Sequence, residues 1–199
     1  MEPQHLAGVL PICNASATAP LLDEENSMFL SPGLLIAFTA LIISVLWTNW
    51  RGAPWVPTPI LMVHKMLKMA EVGPDDVVYD LGCGDGRMII AAAWRYGARA
   101  VGIEIDPLRY IWCRLLIIIL GLHDRVRVIY GDFFDQDLRE ASVVTCYLLS
   151  GTNLKLEGKF KQELRAGTRI VSNYFLFPQL HLVRKDDEDE LYVYTIEIE

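Results

Sequence analysis

The sequence predicts an α/β domain with a doubly wound, mostly parallel sheet, preceded by one N-terminal transmembrane helix. Strand-like and helix-like stretches alternate from residue 76 onward, and a glycine-rich turn follows the first strand. An uncharged, apolar stretch at residues 29–47 indicates the transmembrane helix. The 199 residues are enough for one domain of ordinary size and an extension.

Two segments are predicted at the start of the chain. Residues 1–28 carry acids but no Lys or Arg, and we expect a short extracytoplasmic tail. Residues 29–50 carry no charge, and their apolar part spans the roughly 30 Å hydrocarbon core at 1.5 Å per residue. Acids precede this span, whereas Arg51, Lys65 and Lys68 follow it. The positive-inside rule therefore predicts an outside amino terminus and a cytoplasmic domain.

A proline-rich strap, residues 51–59, is predicted to join the span to the domain. It cannot be regular helix, because each proline restricts its own backbone and that of the preceding residue. The domain itself is predicted to occupy residues 60–199. It begins with a helix over residues 60–70, where apolar residues recur at helical spacing.

The remaining elements follow in order. Strands are predicted at 77–80, 100–105, 126–130, 143–149 and 169–173, and helices at 86–96, 107–121 and 153–165. A hairpin over roughly 180–184 and 191–198 ends the chain, with an acidic run at its solvated tip. Such alternation indicates parallel strands with helices on both faces of the sheet.

The glycine-rich turn has the spacing G-x-G-x-G. Gly82, Gly84 and Gly86 let the backbone turn sharply and approach a ligand without Cβ clashes. The alternative is the dinucleotide fingerprint G-x-G-x-x-G, which places a pyrophosphate on a helix N-terminus. The carboxylates of Asp80 and Asp85 would repel a pyrophosphate. They suit a ligand with an ammonium and a sulfonium, such as S-adenosylmethionine.

Acidic residues also end the next two strands. Glu104 lies 24 positions after Asp80 and can accept hydrogen bonds from both ribose hydroxyls of a nucleoside. Asp132, followed by Phe133, can accept from an adenine amino group while the ring packs on the base. Three such signals, in order at strand ends, predict a cofactor site.

These motifs resemble the core of class I S-adenosylmethionine-dependent methyltransferases. One branch is resembled closely, the small archaeal protein lysine methyltransferases and their mitochondrial relatives, which act on the ATP synthase c-subunit and the adenine nucleotide translocase. The similarity runs from about residue 55 to residue 199. It rests on the lead-in 54–59, the motif 79–87 and the tail 167–172. The resemblance implies a Rossmann-like sheet whose last strand is antiparallel.

The resemblance also implies an activity, that of a membrane-anchored protein-lysine N-methyltransferase with S-adenosyl-L-methionine as cofactor. Tyr147 and Asn173, at the ends of the fourth and fifth strands, are the candidate catalytic residues, with Asn153 and Tyr174 beside them. Aromatic walls there can hold an amine and a sulfonium by cation–π attraction. The implied cofactor contacts are Thr58, Asp80, Gly82, Cys83, Gly84, Glu104, Ile105, Asp132 and Phe133.

The charge and composition of the chain indicate which classes of partner it binds. The formal net charge of -7 argues against nucleic acid, which needs a basic face. The fourth strand also lacks the Asp/Asn-Pro-Pro-Tyr/Phe sequence typical of amino methylation on bases. Four scattered cysteines predict reduced thiols and no metal site. We expect a protein substrate that presents a lysine, a membrane protein included, and the lipid bilayer as partners, with the oligomeric state open.

Other functions fit the same residues. One is a methyltransferase acting on a membrane lipid or small molecule, and another is a non-catalytic cofactor-binding assembly module. The membrane we expect is a prokaryotic plasma membrane, because the resembled branch includes archaeal proteins and residues 1–28 lack the arginines of a mitochondrial presequence. A mitochondrial inner membrane is the alternative.

The predicted helix around residues 110–122 is apolar on every side. Such a helix is fully buried, or it faces lipid or a partner. With about 13 residues it is too short to span a bilayer. We expect it to rest against the bilayer or another protomer.

Overall fold

A computed structural model describes residues 31–39, 42 and 56–197. Residues 32–39 are helical. The tail 1–28 and most of the predicted transmembrane segment and strap lie outside the described residues, so these boundaries stay predictions. Within the described ranges, no helix combines the length and apolar character that crossing a membrane requires.

A seven-stranded sheet forms the centre of the domain. Its strands are β1 (Val77–Leu81), β2 (Arg99–Glu104), β3 (Val126–Tyr130), β4 (Val143–Cys146), β5 (Arg169–Asn173), β6 (His181–Asp186) and β7 (Leu191–Thr195). They lie in the order β3-β2-β1-β4-β5-β7-β6. The first five strands are parallel, and β7 inserts antiparallel between β5 and β6. The predicted sheet is confirmed, including its antiparallel last strand.

Four α-helices cover the two faces of the sheet. They are α1 (Ile60–Met69), α2 (Arg87–Tyr96), α3 (Pro107–Ile119) and α4 (Ser150–Glu163). Helices α1, α2 and α3 share one buried apolar cluster, which includes Val63, Ile89 and Cys113. Helix α4 buries Leu156 and Phe160 in a second cluster on the other face. The prediction of helices on both faces therefore holds.

The junction between β4 and α4 differs from the prediction. Strand β4 ends at Cys146 rather than residue 149, and α4 begins at Ser150 rather than residue 153. The carbonyl of Leu149 already accepts the N–H groups of Thr152 at 2.9 Å and Asn153 at 3.0 Å. Ser, Gly and Thr are weak helix formers, so their presence in the first turn hid the true start.

The acidic tip of the last hairpin is less solvated than expected. Lys65 of α1 forms ion pairs with Asp186 and Asp189, so the tip is tied to the first helix. Those pairs lower the pKa of Asp186 and raise that of Lys65. The other acids of the run, Asp187, Glu188 and Glu190, are exposed as predicted.

Because Gly102 in β2 has no side chain, Cys83 of the glycine-rich turn and Ile89 of α2 can pack directly against this strand. A Cβ there would lie 2.6 Å from Sγ of Cys83 and 2.8 Å from Cδ1 of Ile89, both of which are buried. We therefore expect Gly102→Ala to lower the free energy of unfolding by about 1–3 kcal/mol in urea titrations. Gly158→Ala is the control, because an added Cβ there meets no atom within 4 Å. Unchanged unfolding of the Gly102 variant would contradict this packing.

Candidate active site

A cleft opens at the carboxyl ends of the parallel strands. It lies where β1 pairs with β2 on one side and with β4 on the other, which is the switch point where doubly wound sheets bind ligands. Tyr147 lines this cleft, whereas Asn173 is not among the lining residues. The predicted cofactor contacts all line it: Thr58, Asp80, Gly82, Cys83, Gly84, Glu104, Ile105, Asp132 and Phe133.

The glycine-rich turn forms the floor of the cleft. Gly82, Gly84 and Gly86 have φ values of 79°, 56° and 82°, in the left-handed region that favours glycine. The N–H groups of Gly82 and Cys83 both donate to the carbonyl of Ile103 in β2, at 3.0 Å. The turn is thus fixed against the neighbouring strand with its backbone facing the cleft.

Glu104 anchors the turn from the end of β2. Its Oε2 accepts from the Gly84 N–H and its Oε1 from the Asp106 N–H, both at 2.8 Å. Burial raises the pKa of Glu104, and the two backbone donors oppose that rise. Each carboxylate oxygen has a second lone pair, so the group can also accept from ligand hydroxyls.

Asp80 is a buried carboxylate at the end of β1. Its Oδ1 accepts from Oγ1 of Thr145 in β4 at 2.8 Å. Burial, opposed by the Thr145 hydrogen bond and aided by the charges of Glu104 and Asp85, raises the pKa of Asp80 to about 7. Such a carboxylate gains most from a cationic ligand group, because a positive charge would offset its lost hydration.

Asp85 is not the free charge that the sequence suggested. Nε of Arg87 lies 2.9 Å and 3.1 Å from its two carboxylate oxygens. Nη1 of the same guanidinium donates to the Thr58 carbonyl at 2.6 Å. Arg87 therefore neutralises Asp85 and ties the strap to the glycine-rich turn. Sequence reasoning missed this arginine, although its place two residues after Asp85 is a signal for a local ion pair.

The end of β3 supplies a carboxylate and two rings. Oδ1 of Asp132 accepts from the Phe134 N–H at 3.0 Å and so begins a short 3-10 helix, Phe133–Asp135. The rings of Phe133 and Phe134 have centroids 4.9 Å apart, and both side chains line the cleft. This corner combines a hydrogen-bond acceptor with a flat apolar face, which suits a nucleobase.

Three aromatic rings lie near the ends of β4 and β5. The Tyr147 ring is 6.5 Å from that of Phe175, which is 4.9 Å from that of Tyr174 in an edge-on arrangement. Tyr174 has a φ of 70°, costly for a bulky residue, and its side chain is 52% exposed. Asn153 holds this turn, because its Nδ2 donates to the Phe175 carbonyl at 3.1 Å. We call Tyr147, Tyr174 and Phe175 the aromatic cluster.

Both candidate asparagines, Asn153 and Asn173, are buried. Asn173 pairs with Leu191 of β7. Several other lining residues were not predicted, and they come from the strap, α1, the 3-10 helix after β3 and the first turn of α4: Val56, Pro57, Val63, Met66, Phe134 and Thr152. In the described ranges, no cluster of His, Cys, Asp or Glu could hold a metal ion, and Cys83, Cys113 and Cys146 are free thiols.

Comparisons with known proteins indicate the family of this chain. The model of the ANTKMT methyltransferase domain matches residues 80–184. A protein-lysine N-methyltransferase of Saccharolobus islandicus is 46% identical over 123 residues, which are 61% of this chain and 76% of that protein. A lysine N-methyltransferase of Homo sapiens, named for the c-subunit of ATP synthase, is 30% identical over 176 residues, 85% and 73% of the two chains.

One solved structure is similar to this chain over most of that structure's own length. It is an RNA methyltransferase from Salinibacter ruber in complex with S-adenosyl-L-homocysteine. The TM-score is 0.70 and the identity 44%, over 72% of this chain and 95% of that one. The prediction that nucleic acid is not a partner therefore stays a prediction.

Fold, cleft and relatives together define an S-adenosyl-L-methionine-dependent methyltransferase. The residues of the cleft fit that cofactor, since the site combines a buried carboxylate, a second carboxylate at the end of β2 and an acceptor beside two rings. The chain belongs to the ANTKMT methyltransferase domain family, whose model covers more than half of it.

Arg87 offers a direct test of the strap. In Arg87→Ala the Thr58 carbonyl loses its donor and Asp85 its partner, so we expect the dissociation constant of the cofactor to rise roughly tenfold in calorimetry. Arg87→Lys keeps a charge beside Asp85 but not the fork that also reaches Thr58, so the loss should persist in part. Wild-type affinity in both variants would show that the strap does not contribute to binding.

Proposed function

We propose that the protein transfers a methyl group from S-adenosyl-L-methionine to the side-chain amine of lysine in a protein substrate. One observation carries this proposal: the aromatic cluster lies beside a cleft with a buried carboxylate, so a cationic donor and an amine acceptor can meet there. The names of the Saccharolobus and human relatives, both lysine N-methyltransferases, support it.

Each predicted contact has a specific role in this proposal. When bound, the cofactor supplies a methyl group activated by a sulfonium. Asp80 would accept from its ammonium and Glu104 from its ribose hydroxyls. Asp132 would accept from the adenine amino group, with Phe133 against the ring. Thr58 and the backbone from Gly82 to Gly84, with Cys83 and Ile105, would complete the walls.

The acceptor lysine must lose its proton before it can attack, and its ordinary pKa is about 10.4. The aromatic cluster would exclude water from the amine, and desolvation lowers a lysine pKa, so that the proton passes to solvent before the neutral amine attacks. Cation–π attraction from the same rings would favour the sulfonium and the protonated, methylated product. Tyr147 lines the cleft and remains the stronger catalytic candidate. The Asn173 carbonyl accepts from the Phe175 N–H at 2.9 Å, so its proposed role is to position the cluster. Positioning of this kind supplies most of the acceleration in a methyl transfer.

The remaining predictions concern the membrane. We propose that residues 29–50 anchor the protein, because this segment carries no charge and Arg51 follows it. The amino terminus would lie outside and the catalytic domain in the cytoplasm, at a prokaryotic plasma membrane. An anchored enzyme would meet membrane proteins as substrates.

The proposed activity is tested by labelling. The purified protein and an Asp80→Ala control are incubated with isotopically labelled S-adenosyl-L-methionine and host membranes, and the label is located by mass spectrometry. We expect label on lysine that is absent with the control. Label in lipid alone would favour the lipid acceptor, and label in added RNA would favour the activity named for the Salinibacter protein. Cofactor binding without any transfer would favour the assembly module.

A further inference from the structure

Helices α1, α2 and α3 form one layer that contains no acidic residue. Each helix carries two cations, in a chain whose net charge is -7. Helix α4, on the opposite face of the sheet, carries residues of both signs. The six cations of the layer are Lys65, Lys68, Arg87, Arg95, Arg109 and Arg114.

Half of these cations are paired within the domain. Lys65, Arg87 and Arg109 form ion pairs with carboxylates of neighbouring segments. Lys68, Arg95 and Arg114 are exposed, and among the described residues none of them forms a salt bridge. Each helix therefore presents one exposed cation that forms no ion pair among the described residues.

The same outer surface is unusually apolar. Helix α3 buries only Cys113 and Ile117, and its other side carries a stripe of large apolar side chains at spacings of three and four. Leu61 of α1 is 85% exposed and Trp94 of α2 is 70% exposed. The stripe of α3 comprises Leu108, Ile111, Trp112, Leu115, Ile118 and Ile119. The sequence predicts that this helix rests against the bilayer or another protomer, and the structure places the stripe at the surface, where such a contact can form.

The opposite face provides the contrast. Helix α4 exposes one large apolar side chain, that of Leu154. The apolar excess therefore distinguishes the layer of α1, α2 and α3 from the helix on the opposite face. Contiguous apolar surface of this kind marks an interaction site.

We propose that the outer surface of α1, α2 and α3, and the stripe of α3 above all, rests on an anionic lipid surface. Exposed Lys and Arg suit lipid phosphates, and a stripe of Leu, Ile and Trp enters the boundary between headgroups and acyl chains. This contact goes beyond the proposed transferase activity and beyond the anchor at residues 29–50, because it is made by the folded domain itself.

Other occupants explain less of the surface. A second copy docked by the same layer would bring uncompensated cations towards each other, which disfavours the pair. RNA would match the cations but leave the aliphatic stripe without a partner. The chain's own helical segment, residues 32–39, does not cover α3, because Leu34, Ile36 and Phe38 are themselves more than half exposed.

Docking would also orient the cleft. Helix α3 begins at Pro107, directly after its cap Asp106, and Glu104 of the cleft lies two residues earlier. The first turn of α3 therefore lies at the edge of the sheet that carries the cleft. Lipid contact along α3 would hold that edge close to the membrane surface.

The test uses an environment-sensitive fluorophore on the full chain, reconstituted into phosphatidylcholine vesicles with and without phosphatidylglycerol. The label is attached at Leu115→Cys, with Leu154→Cys on α4 as the matched control, in a Cys13→Ser background. The other three cysteines are buried and should not react. We expect a blue shift at position 115 in anionic vesicles only, and no shift at position 154.

A second variant tests whether the exposed cations contribute to docking. Replacing Lys68, Arg95 and Arg114 together by Gln should lower the docking equilibrium about 100-fold, since each cation near an anionic surface contributes about 1 kcal/mol. Unchanged cofactor binding would show that this variant and the labelled variants are folded. The proposal is overturned by no shift at position 115, an equal shift at position 154, or an equal shift in phosphatidylcholine alone. A shift that needs only high protein concentration, or only single-stranded RNA, would overturn it as well.

Discussion

Glu104→Ala is expected to weaken S-adenosyl-L-methionine binding about 100-fold or more. The carboxylate would accept two ribose hydroxyls, and hydrogen bonds to charged groups contribute roughly 1.5–3 kcal/mol each. The same substitution leaves the buried N–H groups of Gly84 and Asp106 without their acceptor, so the glycine-rich turn should loosen too. Calorimetric titration with the cofactor measures the combined loss.

Glu104→Gln separates the two effects. The amide keeps the shape of the side chain and one oxygen acceptor, so one of the two backbone N–H groups stays paired. We expect an intermediate loss of about tenfold in affinity and, without cofactor, a melting temperature between those of Glu104→Ala and the wild type. If Glu104→Ala bound the cofactor with wild-type affinity, Glu104 would have no role in the site.

The sheet and the acidic strand ends could be predicted because both leave a local pattern. Buried parallel strands appear as short apolar runs, and Asp80 and Glu104 stand out as charges at the ends of such runs. The parallel arrangement then places those ends at one edge of the sheet. These local patterns were therefore sufficient to predict that residues at the ends of three strands line one cleft.

Features that depend on distant segments could not be predicted in the same way. The bond from Arg87 to the Thr58 carbonyl joins residues 29 positions apart, and nothing local indicates it. The apolar sequence of α3 is compatible with burial or exposure, because coverage depends on what packs beside the helix. The start of α4 was missed since Ser150, Gly151 and Thr152 are weak helix formers.

The affinity for S-adenosyl-L-methionine is expected to fall as the pH drops below about 7, by up to tenfold per pH unit. Burial raises the pKa of Asp80 to about 7, and the ligand ammonium would bind the ionised form. Below that pH, binding must first remove a proton. Titrations from about pH 5.5 to about pH 8.5, in two buffers of different ionisation enthalpy, measure both the affinity and the proton released.

Asp80→Asn tests whether the pH dependence comes from Asp80, because burial also raises the pKa of Glu104. Cys83 and Cys146 do not contribute, because their raised pKa values keep them as thiols. Asp80→Asn should bind the cofactor weakly, and its affinity should lack the pH dependence assigned to Asp80.

In the ligand-free protein, the contribution of Asp80 to stability should fall as the pH rises, whereas the affinity for the cofactor should rise. A raised pKa in the folded state means that the contribution of Asp80 to stability is full below about pH 4 and is lost as the pH rises through about 7. The Asn variant, neutral throughout, should therefore match the wild type at low pH and unfold at higher urea concentration at about pH 8. A wild type more stable than Asp80→Asn at that pH would show that the carboxylate is already compensated without the cofactor.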